Sequence, residues 1–115
     1  MLSPAERLLL ESIASQVDQV DKDDTRLAVK AILRELTEIA PGRSVELRVP
    51  PFAATQIVEG LTHRRGTPAA VVELNAVTLC QLAIGLYTWA ELFSEGVILA
   101  SGERSDLSLL FPLTF

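Results

Sequence analysis

Leu10, Ile13, Ala14 and Val17 recur at helical spacing with charged and polar residues between them, which predicts an amphipathic helix near the start of the chain. Ser3-Pro4-Ala5-Glu6 marks where it begins. Ser3 can accept from the amide three residues on, Glu6 can reach back, and Pro4 stands where no N–H is needed. The helix is expected to run to about Val20 and to break at Asp21-Lys22-Asp23-Asp24-Thr25. Val29, Ile32, Leu33, Leu36 and Ala40 form a second stripe, which Pro41-Gly42 stops. Asp23 and Asp24 suit the positive end of that second helix.

The period then falls from 3.6 to 2. Ser44-Val45-Glu46-Leu47-Arg48-Val49 alternates apolar and polar residues, as a strand with one wet face does. Val45, Leu47 and Val49 should face inward, with Glu46 and Arg48 in water. Pro50-Pro51 ends this strand, Ala53 to Glu59 forms a second, and Ala69 to Leu74 a third after a polar loop from Gly60 to Pro68. Asn75 caps a helix through Ile84, and Gly85 supplies its left-handed stop. Thr88-Trp89-Ala90-Glu91 is a second capping box and opens a short helix through Ser94. Val97 to Ser101 reads as a strand, Gly102-Glu103-Arg104 as a turn, and Asp106 to Phe111 as a closing helix. The order α, α, β, β, β, α, α, β, α predicts an α+β fold, a mixed sheet with helices packed on one face.

Composition narrows what such a domain does. A chain of 115 residues is one domain, leading helices over 3–40 and a sheet-and-helix core over 44–115, able to bury roughly two-thirds of its unfolded surface. Apolar residues are 49% of it and mean hydropathy is +0.32, although 22% of residues are charged. That apolar content fills a tight core, lines a cavity or meets a partner. The net charge of −5 and only six aromatics argue against a nucleic-acid partner and against electrostatic docking on anionic membranes. No apolar run approaches the roughly 20 residues of a spanning helix, so no stable membrane insertion is expected. The lone cysteine, Cys80, forms no internal disulfide and fits a reducing cytoplasm. Met1-Leu2-Ser3-Pro4 does not read as a signal peptide, and Pro112-Leu113-Thr114-Phe115 carries no peroxisomal address.

Residues able to carry chemistry are few. His63 is the only histidine, so a nucleophilic triad would have to use it, and it lies in a basic loop beside Arg64 and Arg65. Those three residues read as a solvated loop or as an anion contact for a carboxylate or phosphate. Cys80, among Leu79, Leu82 and Ala83, reads as a buried small hydrophobe. One Cys and one His do not make a zinc site. Asp21, Asp23 and Asp24 resemble the start of a calcium loop, but Arg26 and Ile32 stand where its glycine and glutamate are required. No phosphate-binding glycine loop occurs, and no metal or other cofactor is expected. Trp89 and Phe93 share a helix face at i, i+4 and, with Phe111, read as core or as the wall of an apolar site. The apolar tail from Leu109 to Phe115 reads as a plug or an interface patch.

The C-terminal half, Leu82-Ala83-Ile84-Gly85, Thr88-Trp89-Ala90-Glu91-Leu92-Phe93, Gly96-Val97-Ile98 and Ser101-Gly102-Glu103-Arg104-Ser105-Asp106-Leu107-Ser108, resembles the end of sterol carrier protein (SCP2-like) domains. The stretch from Ala40-Pro41-Gly42-Arg43-Ser44-Val45-Glu46 to Arg64-Arg65-Gly66-Thr67-Pro68 is similar to their actinobacterial branch. The resemblance implies a curved mixed sheet of four to five strands backed by helices. It also implies non-enzymatic binding or carriage of a sterol, fatty-acyl chain or other lipid in an apolar tunnel. Val45, Leu47, Val72 and Leu99 are then the expected walls, Trp89, Phe93, Leu110 and Phe111 the cover, and His63, Arg64 and Arg65 the anion contact. The competing expectation is an interaction module, possible as a homodimer, with a filled core and no ligand.

Overall fold

The alternation at Val45–Val49 sets the architecture. The computed structural model describes residues 1–15, 21–60, 70–102 and 104–114. In it β1 (Val45–Val49) lies between β2 (Ala53–Ile57) and β3 (Ala70–Glu73), and β4 (Leu99–Ser101) closes the order β2-β1-β3-β4. β1 is antiparallel to β2 and parallel to β3, and β3 is antiparallel to β4, so the sheet is mixed. Val45, Leu47 and Val49 are fully buried, while Glu46 and Arg48 pair with each other at 2.9 Å on the opposite face. The register puts Ile57, Ala70, Val72 and Ala100 on the inner face. It puts Gln56, Val71, Glu73 and Leu99 on the outer one.

Helices α1 (Pro4–Ser15), α2 (Lys22–Ile39) and α3 (Ala76–Ile84) supply the rest of the core. α2 packs on β2 and α3, and α1 packs on α3 and α2. The Ser3–Glu6 capping box closes at 3.1 and 2.9 Å, and Glu6 also takes Arg34 of α2 at 3.0 Å, so one carboxylate both starts α1 and ties it to α2. Asp21 caps α2 through the Asp23 amide. Asn75 caps α3 through the Thr78 amide at 2.8 Å, and Gly85, at φ 77°, ends it. α4 (Trp89–Ser94) follows from the Thr88–Glu91 box. Glu35, alone among the charged residues of α2, is buried, with Oε2 2.7 Å from the Met1 amine as an ion pair rather than an aligned hydrogen bond.

Three elements differ from their sequence expectation. The second strand stops at Ile57 because Val58 takes a positive φ of 68°. This turn is held by Ser44, whose amide and hydroxyl both donate to the Val58 carbonyl at 3.0 and 2.6 Å, and by the Val58 amide donating to Ala40 at 2.7 Å. The fourth strand pairs only from Leu99, one residue after the buried Ile98. The closing helix is a single 3₁₀ turn, Ser108–Leu110. Pro112 disfavours helical backbone at Phe111, and Asp106 accepts from the Ser108 amide at 2.9 Å instead of starting a longer helix. The extension of the first helix to Val20 falls outside the described residues.

Candidate functional site

Six of the eight residues expected to line an apolar site lie in or against one continuous core. Val45, Leu47 and Val72 come from the sheet and Trp89, 8% exposed, from α4, with Leu110 and Phe111 packed against them half-buried. Phe93 and Leu99 do not join that core. Phe93 is 50% exposed and stacks on Trp89 with ring centroids 6.4 Å apart, and Leu99 is 62% exposed because its register with Glu73 turns it to the outer face. His63, Arg64 and Arg65 lie outside the described residues.

Two hollows among the described residues lie elsewhere, and none of the eight residues lines either. One, of about 520 Å³, runs between α1 and α2 over Leu9, Leu27, Ala28 and Ala31, with Lys30 and the Glu6–Arg34 pair beside them. The other, of about 480 Å³, is a half-open groove between α3 and α4. Val77, Leu92 and Val97 give it apolar surface, and Asn75, Thr78, Gln81, Tyr87, Glu91 and Glu95 give it polar surface. Helical spacing explains the α3 contribution: Leu79, Cys80, Leu82 and Ala83 are fully buried, Val77 and Gln81 are half-buried and line the groove, and Thr78 lines it although it is buried. In the sequence, Asn75, Thr88 and Glu91 read as caps alone. The available signal was the polar stripe Thr78–Gln81 in an otherwise apolar helix, followed by two glutamates at i, i+4.

Titration behaviour follows from these surroundings. Burial pushes the Cys80 thiol up to about 12, so its nucleophilic thiolate is scarce at neutral pH. The Thr88 backbone amide holds the Glu91 carboxyl below the usual glutamate value, which keeps that side of the groove ionised. No group of three or more His, Cys, Asp or Glu side chains placed to hold a metal occurs among the described residues. No helix among them is long and apolar enough to cross a membrane.

The family described as bacterial SCP ortholog matches residues 21–113. The match takes in α2, the whole sheet, α3, α4 and the 3₁₀ turn, and leaves α1 outside. No curated protein matches the chain.

Proposed function

Since this chain belongs to the bacterial sterol carrier protein family, we propose that it binds and carries one apolar ligand, a sterol or fatty-acyl lipid, without chemical turnover. The family match is the observation that carries the reading. The proposed site opens inside the core, with Val45, Leu47 and Val72 as floor, Trp89, Leu110 and Phe111 as cover, and Phe93 and Leu99 at the mouth. The shallow seat of the cover supports it: the 3₁₀ turn buries no residue fully, and Leu109 within it is 97% exposed. An empty apolar void forfeits dispersion contacts, so such a site closes over its own floor until a ligand enters. His63, Arg64 and Arg65 are the proposed contact for an acidic headgroup, and the cytoplasm, which suits a lone reduced cysteine, is the proposed compartment.

The competing reading is an interaction module. The close burial of Val45, Leu47, Val49, Ile57 and Val72 on the inner sheet face favours it, together with Leu8 and Leu27, which stand exposed on α1 and α2. One pair of measurements separates the two. In the carrier, a dansyl-labelled fatty acid at micromolar concentration quenches Trp89, the only tryptophan, and sedimentation shows a monomer with or without it. No change in Trp89 emission, together with a concentration-dependent dimer, would sink the carrier reading.

A further inference from the structure

Glu35, on α2, is only 6% exposed, and its Oε2 is fully enclosed with no aligned hydrogen bond among the described residues. A carboxylate so placed keeps its charge only with a cation beside it, because a buried charge without a partner is strongly penalised. The cation is the Met1 amine, whose nitrogen lies 2.7 Å from Oε2. No other ion pair reaches Glu35 among the described residues. Leu2, 3% exposed, belongs to the core and fixes where Met1 stands. The other charges the amine feels are Glu38 and Arg34. Neither replaces it, since Glu38 has the same sign as Glu35 and Arg34 is held by Glu6 at 3.0 Å. The contact with Glu35 holds the amine above its ordinary value of 8.0, which keeps it an ammonium at neutral pH.

α1 begins at Pro4, directly after this contact, and buries Leu10, Ile13 and Ala14 against α3 and α2. Gln81 of α3 donates to the Ala14 carbonyl at 3.2 Å at its far end. α1 lies outside the residues that match the family and takes part in none of the strand pairings. It can therefore lift away without breaking the sheet, uncovering apolar surface on α2 and α3. Acylating the Met1 amine, or continuing the chain ahead of it, turns an ammonium into a neutral amide. Oε2 is then enclosed with no positive charge, and lifting the segment to admit water relieves it.

We propose that Glu35 makes α1 a cover that responds to the chemical state of residue 1. α1 stays docked while that residue carries a free ammonium, and opens more often once the amine is acylated or made part of a peptide bond. The device needs no ligand and stands apart from the proposed lipid site in the core.

The test is amide hydrogen exchange on three semisynthetic forms of the intact chain: free amine, Nα-acetyl and Nα-dimethyl. Acetylation removes the charge, whereas dimethylation adds similar bulk and keeps it. Acetylation should speed exchange at Leu10, Ile13 and Ala14 roughly tenfold, a loss between those of an exposed and a fully buried pair, and leave Val45, Leu47 and Val49 unchanged. The dimethyl form should stay within about twofold of the free amine, as its charge is retained. In Glu35→Gln, acetylation should change α1 exchange by less than about twofold, because no buried charge remains to be stranded. Equal loss of protection in the acetyl and dimethyl forms would assign the effect to bulk and overturn the proposal. So would α1 exchange that ignores acetylation, or an acetyl effect that persists in Glu35→Gln. The acetyl and dimethyl comparison needs no substitution, so it decides the matter even where Glu35→Gln fails to fold.

Discussion

Two residues in this chain do work that their types alone do not announce. Gly42 has φ 147°, and a Cβ there would run into the Val58 carbonyl, the same group that Ser44 holds twice. The junction between α2, β1 and β2 therefore needs a residue without a side chain. Gly42→Ala is expected to cost about 3 kcal/mol or more, through backbone strain and a clash with backbone that has no flexible end to yield. Urea unfolding checks it, and a loss below about 1 kcal/mol would show that the turn relaxes. Cys80 is the second case. With its thiol at about 12, only about one molecule in ten thousand is thiolate at pH 8. Iodoacetamide at pH 8 should leave the folded protein unmodified over hours and alkylate it within minutes in strong urea. Rapid labelling of the folded form would mean that α3 opens far more often than its packing implies.

At the scale of elements, the helix starts behave as their sequences say, and one of them titrates. Glu6 is held below the usual glutamate value of 4.5, first by the Ser3 backbone amide and then by Arg34. A carboxylate with a depressed folded pKa adds stability that is complete above its unfolded value and is lost as pH falls through the folded one. The link between α1 and α2 should therefore weaken on acidification below about pH 4.5, not on approach to neutrality. Glu6→Gln keeps a box-competent side chain and removes the charge. It should cost no more than about 1 kcal/mol at pH 7, since Glu6 and Arg34 are both partly open to solvent, and the deficit should vanish near pH 3. A deficit that persists at pH 3 would assign the cost to lost packing. Elements also show where reading by pattern stops. β1 was legible because its neighbours on both sides bury the same face, so the alternation Val45-Glu46-Leu47-Arg48-Val49 survives intact. The closing segment was not, because Asp106 and Ser108 suit the first turn of a helix and of an isolated 3₁₀ turn equally well, and Pro112 settles which.

For the whole molecule, the sequence by itself determined in what order the elements come and which face of β1 leaves water. Capping side chains and apolar periods act over three or four neighbours, and those neighbours are adjacent in the chain. The boxes at Ser3 and Thr88, the cap at Asn75 and the stop at Gly85 were readable for that reason. The α+β class and the resemblance to sterol carriers followed from the same local features taken in sequence. Tertiary structure alone decided the parts that depend on distant partners. The parallel pairing of β1 with β3 sets Val45 against Ala70 across 25 positions of chain, and the β3–β4 register sends Ala100 inward and Leu99 out, although both are apolar. It also set Phe93 outside the core that Trp89 joins one turn earlier, because a short helix at the margin has only one face to bury. The groove between α3 and α4 arises in the same way. Thr78 and Glu95 are 17 residues apart and carry no joint signal, and only the packing of two helices lets both line one groove.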